Sequence, residues 1–207
     1  MLAIALLVPA AQAAQAAAAT VTNTHDSGPG SLRQAVIDAA PGETIHVPAG
    51  TYVLKSGHIE FGKSLNIVGA GATATTISGG KASQVFAIND PEQTAVVEIS
   101  GMTIREGRVN GIREGEVETD LWGAAIGTFS IGTLIMHGDV LTANVADAAA
   151  AEGTASAVIQ GGILDFAGQR LVVTDTRITG NTISVAGNAG RPAGLVREAP
   201  CSPPPRS

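Results

Sequence analysis

Along most of the chain, apolar and polar residues alternate in short runs broken by Gly and Pro, which is the spacing of strands. Strands are predicted over residues 21–24, 44–47, 51–54, 64–68, 75–78, 85–88, 96–100, 102–104, 133–137, 140–142, 171–174 and 177–179. One segment has a different period. Leu32, Ala35, Val36 and Ala39 fall at i, i+3, i+4 and i+7, the apolar stripe of a short helix. Ser31 with Gln34 three residues on forms a capping box, in which the hydroxyl accepts the Gln34 amide and the glutamine side chain reaches back. Pro41-Gly42 ends the helix. A helix this short is marginal alone, so its stripe must cover another part of the fold.

Many short strands with one helix permit a sandwich, a barrel or a solenoid. Internal repetition decides among them. The octapeptide starting at Val97 realigns without a gap at Leu134 and again at Leu171, each 37 residues further on. Three columns are apolar in every copy: Val97, Leu134, Leu171; Ile99, Met136, Val173; and Ile104, Leu141, Ile178. Ile126 and Ile163 share the spacing, each with a glycine-rich prelude, and so do Asn144 and Asn181. Columns at a fixed period imply strands stacked about 4.8 Å apart along one axis. The aliphatic columns then fill the core, and the two asparagines form a hydrogen-bonded ladder at a turn.

The stretches Gly28-Pro-Gly-Ser-Leu-Arg-Gln-Ala-Val-Ile-Asp-Ala39 and Pro41-Gly-Glu-Thr-Ile-His-Val-Pro-Ala-Gly-Thr-Tyr52 resemble the opening segment of exported bacterial right-handed parallel β-helix proteins of the pectin-lyase-like superfamily. The words Gly123-Ala-Ala-Ile126 and Gly161-Gly-Ile-Leu164, followed by Leu141-Thr-Ala-Asn144 and Ile178-Thr-Gly-Asn181, resemble the paired motifs of the polymorphic outer membrane protein repeat. The resemblance implies an all-β fold, a right-handed parallel β-helix (solenoid) with a short N-terminal capping helix. It divides the chain into a signal peptide (1–16), an N-terminal strand and capping helix (17–43), β-helix rungs (44–186) and a disordered or truncated tail (187–207). A 37-residue period exceeds that family's usual rung, which predicts long loops over 105–122 and 145–160.

Composition narrows the function classes. Only 14% of residues are charged and 3% aromatic, with net charge −6, so the clustered cations and stacking rings of a nucleic-acid groove are missing. The single cysteine, Cys201, supports neither an internal disulfide nor a Cys-based zinc site. Residues 2–8 form an apolar run ended by Pro9, and Ala-Gln-Ala words follow at 11–13 and 14–16, the pattern of an export signal. No basic residue precedes that run. It is too short to span a bilayer, so no transmembrane helix is expected in the mature chain. The predicted location is secreted or cell-surface.

Candidate chemistry is concentrated between Arg105 and Trp122. If residues 114–120 are extended, Glu114, Glu116, Glu118 and Asp120 share one face, where hard oxygens could hold calcium or simply stay in water. Arg105, Arg108, Arg113 and Trp122 are the candidate ligand-binding residues beside them. Pectin-type lyases of the resembled superfamily pair calcium-binding acids with a basic residue, and its hydrolases use nearby aspartates. Here Asp139 and Asp175 are 36 apart and miss a common register, while Asp175 and Arg177 read as a local ion pair. The glycines from Gly69 to Ala74 mimic a dinucleotide motif, but the β-branched run that follows disfavours the helix it requires. No catalytic constellation emerges. The expected function is a structural, adhesive or glycan-binding module, with a polysaccharide or cell-surface partner and no cofactor beyond that calcium. A lyase or hydrolase of acidic polysaccharide is the alternative.

Overall fold

The computed structural model describes residues 18–113, 123–150 and 163–186. They are mostly β, with parallel sheets and one helix among the described residues. The chain opens with β1 (Ala18–Thr20) and α1 (Leu32–Asp38), then makes a first pass through β2 (Glu43–Val47), β3 (Gly50–Val53) and β4 (Ile59–Phe61). A second pass follows through β5 (Leu65–Gly69), β6 (Thr75–Ser78) and β7 (Phe86–Asn89). The third runs through β8 (Val96–Ser100), β9 (Thr103–Arg105) and β10 (Arg108–Arg113) into β11 (Ile126–His137), whose second half begins the fourth. β12 (Val140–Thr142), β13 (Val145–Ala150) and β14 (Leu164–Asp165) complete that pass, and β15 (Gly168–Thr174), β16 (Arg177–Thr179) and β17 (Thr182–Ala186) form the fifth.

Each strand pairs in parallel with its counterpart one pass later. A nine-stranded sheet runs through β1, β2, β5, β8, β11 and β15, and is joined through the first half of β11 to β4, β7 and β14. The order β3, β6, β9, β12, β16 makes a second sheet, and β10, β13, β17 a third. The 37-residue repeat is the pairing register itself. Leu134 lies opposite Val97 and Leu171, Met136 opposite Ile99 and Val173, and Leu141 opposite Ile104 and Ile178. Val97, Ile99, Ile104, Leu134, Met136 and Leu141 are all fully buried, because alternate residues of β8, β9, β11 and β12 point into one continuous core.

Several sequence expectations shift. The first strand lies at 18–20 rather than 21–24. Val21 still donates to the His46 carbonyl, but the next two amides turn away to Gly30 O. β10, β13 and β17 occupy stretches expected to be loop or patternless, because their small and mixed residues carry little alternation and are strands only by lateral pairing. Ile126 pairs with Leu164, one residue beyond the expected Ile163, although the Ile163 carbonyl still accepts the Ala125 and Ile126 amides. Ser31 does cap the helix, its hydroxyl accepting Gln34 N–H at 3.1 Å. The reciprocal half of the capping box is absent, since Gln34 Nε2 donates to Asp38 instead.

The helix stripe is buried through Leu32 and Val36, and α1 packs on β2 and β4. Arg33 ties it down, with Nη1 donating to His58 O at 2.6 Å, Nη2 to Gly57 O at 2.6 Å, and Nη2 also 3.1 Å from Asp26 Oδ1. At the other end Lys63 Nζ donates to the carbonyls of Ile37 and Ala39, placing a cation on the helix C-terminus.

Two turns also repeat at the period of 37. Gly101, Gly138 and Asp175 hold the corner between the first two sheets with φ of 66°, 67° and 51°. Glu106, Ala143 and Gly180 hold the next corner with φ of 53°, 54° and 65°. A left-handed alanine costs about 1–2 kcal/mol, more than the extra unfolded-chain entropy of glycine. Ala143→Gly is therefore expected to stabilise the protein by about 0.5 kcal/mol, seen as a raised urea midpoint. A lowered midpoint would place Ala143 outside the left-handed region.

Candidate functional site

The first element of the candidate site is a place in the fold. β10 and β13 end side by side, with Arg113 opposite Ala150, and the chain returns on another paired couple, with Ile126 opposite Leu164. The described chain therefore breaks off after 113 and 150 on paired strands and resumes before Ile126 and Leu164, again a paired couple one strand spacing apart. β17 ends beside β13, with Ala186 opposite Ala149. Glu114, Glu116, Glu118, Asp120 and Trp122 belong to the first of these intervals and lie outside the described residues, as does the side chain of Arg113.

The remaining candidate cations are not brought into one cluster. Arg105 ends β9 on the outer face of the second sheet, in the column Val53, Ser78, Arg105, Thr142, Thr179. Its Nε is 3.8 Å from Glu106 Oε2, which also accepts the Ser78 hydroxyl at 2.7 Å. Arg108 opens β10, and its Nη2 donates to Asp147 Oδ2 at 2.7 Å. The other oxygen of Asp147 accepts the Ser184 hydroxyl one pass further on. Arg108 thus stitches the third pass to the fourth, whereas Arg105 pairs with its own chain neighbour and Glu106 makes the link to Ser78 on the second pass. The expected Asp175–Arg177 pair does not form. Asp175 sits in the left-handed turn, where its carboxylate is 3.6 Å from His137 Nδ1 on the preceding pass.

The asparagine ladder is present. Asn144 is fully buried, and its Oδ1 accepts Gly107 N–H at 2.8 Å while its Nδ2 donates to Ile104 O at 3.2 Å and to Asn181 Oδ1 at 3.0 Å. Asn181 repeats the motif, its Nδ2 donating to Leu141 O at 2.9 Å.

Two acids take positions that the sequence reading did not assign them. Asp90 accepts the amides of Ala95 at 2.6 Å, Thr94 at 2.8 Å and Glu92 at 3.2 Å. The Ala95 bond first of all holds its carboxyl below the usual range, against the effect of burial. The glycines before it form a turn into β6 and open no helix. Asp139 is buried in the column Met102, Asp139, Thr176, whose spacing of 37 was visible although its chemistry is not repeated. Among the described residues no three His, Cys, Asp or Glu side chains gather as a metal site. A cleft of about 220 Å³ between β1 and α1, lined by Thr20, Gln34, Asp38 and Glu43 among others, is smaller than ordinary ligand pockets. Comparison of the chain with protein-family models, curated proteins and solved structures finds no match.

Proposed function

We propose that the chain is an exported or cell-surface right-handed parallel β-helix that acts as a structural, adhesive or glycan-binding module. Parallel strands of one sheet joined by crossovers support the right-handed reading, since such connections strongly favour that hand. The helix α1 closes the N-terminal end, which accounts for its one-sided stripe lying on the first pass. The reading rests above all on the two long connections emerging side by side from a stack fixed in register. A rigid scaffold that carries two long connections close together is a common geometry of a binding surface. The carboxylates of Glu114, Glu116, Glu118 and Asp120 supply oxygen ligands for calcium there, and Arg113 with Trp122 supplies a cation and a ring for an acidic sugar.

The test is retention of the purified chain on a panel of neutral and acidic polysaccharides, with and without calcium. It is repeated on a variant in which a short Gly/Ser linker replaces residues 114–122. Binding by the native chain and its loss in an equally stable variant is the expected result. Absence of binding by demonstrably folded protein would overturn the glycan-binding role. Release of reducing ends would replace the module by a carbohydrate-active enzyme.

A further inference from the structure

The corner of the fourth pass between the first and second sheets holds a carboxyl group in a costly position. Asp139 follows the left-handed Gly138 between β11 and β12 and is 1% exposed. Its Oδ1 accepts Met102 N–H at 3.0 Å from the pass before, and its main-chain carbonyl accepts Arg177 N–H at 2.9 Å from the pass after. Its own N–H lies 3.4 Å from Thr176 Oγ1. One residue therefore joins three successive passes at one corner. Its second oxygen, Oδ2, is buried and accepts no well-formed hydrogen bond, although the His137 amide lies close enough to draw on the carboxyl group.

The charged neighbours do not compensate an ionised Asp139. Glu98 on β8 presents a second carboxylate to it. On the elements of the same corner, Arg105 at the end of β9 is engaged with Glu106, and His137 at the end of β11 faces Asp175. Arg177 on β16 meets Asp139 through its main-chain amide. Removing a carboxylate from water without a cation is strongly unfavourable, whereas burying the neutral acid costs far less.

We infer that Asp139 is an acid-favoured latch: as the neutral carboxylic acid it clamps the third, fourth and fifth passes together, and on ionising it weakens that corner. Burial first, and then the Glu98 charge, push its carboxyl up to about 7, against the opposing pull of the Met102 and His137 amides. A carboxyl raised in the folded state favours folding fully below its unfolded value near 3.8. That contribution is lost as pH rises to the folded value, and above it the curve is flat.

The decisive comparison is native protein against Asp139→Asn, which keeps an acceptor for Met102 and cannot ionise. Urea unfolding is followed from about pH 4.5 to about pH 8.5, together with the Asp139 carboxyl ¹³C shift in the native chain. The native unfolding constant should rise by at least about tenfold more than that of the variant up to about pH 7, with no further divergence above it. Amide exchange at Met102 and Arg177 should quicken over the same interval. A carboxyl that titrates in the ordinary aspartate range, or a pH profile identical in the two proteins, would overturn the latch. Should the variant fail to fold, the ¹³C titration of the native chain alone decides.

Discussion

Asn144→Ala is expected to destabilise the protein by about 3 kcal/mol, read as a fall in urea midpoint with unchanged slope. The magnitude comes from what the amide satisfies. Truncation leaves Gly107 N–H and Ile104 C=O without their partner in a site with no solvent access, and each orphaned buried group costs about 1–3 kcal/mol. Relaxation cannot close the gap cheaply. A Cβ at Gly107 would stand 1.9 Å from the Ala124 carbonyl oxygen, so the backbone there is already at closest approach to the opposite side of the core. Asn181→Ala removes the same motif from the last pass, where Asn181 is only half-buried and water can replace it, and should cost about 1 kcal/mol. The double variant should lose less than the sum, since Asn144 and Asn181 share a bond. Equal costs for the two single variants would mean that the ladder is not graded from interior to end.

How much of this was legible depended on whether a residue's role repeats. The aliphatic columns and Asn144 with Asn181 recur at a fixed spacing because stacked parallel strands confront like with like, so the register could be counted directly from the sequence. β13 escaped notice because Ala fills most of it, β10 because Arg, Asn and Gly break its alternation, and β17 because it is short and lies where the repeat pattern fades; all three are strands through lateral pairing with neighbouring passes. The left-handed corners were hidden by substitution. Gly101 and Gly138 announce the turn, but Asp175, Glu106 and Ala143 adopt it against their own preference. Asp139 illustrates the same limit for chemistry, since Met102 and Thr176 occupy its column and only three-dimensional burial sets the aspartate apart. Arg105 and Arg108, grouped by sequence as one charged loop, fall on different sheets because a corner separates them.

The Val97, Leu134, Leu171 column allows the same substitution to be made inside the stack and at its end. Leu134 is fully buried between two passes, whereas Leu171 is 40% exposed, as are Val173 at 40%, Ile183 at 42% and Ile178 at 49%. Leu134→Ala should therefore cost about 3 kcal/mol, the transfer of the lost methyls plus the cavity they leave. Leu171→Ala should cost about 1 kcal/mol, since much of its surface already meets water and no closed cavity forms. Chemical denaturation of the two variants measures both. Equal losses would show that the fifth pass is covered in solution, and the dependence on protein concentration then identifies the cover: a second copy makes the Leu171 effect vanish on dilution, and a segment of the same chain leaves it unchanged. Unequal losses mean that the fifth pass presents aliphatic side chains beside edges of β15, β16 and β17 that pair with no further strand among the described residues, the arrangement by which a parallel stack accepts another strand.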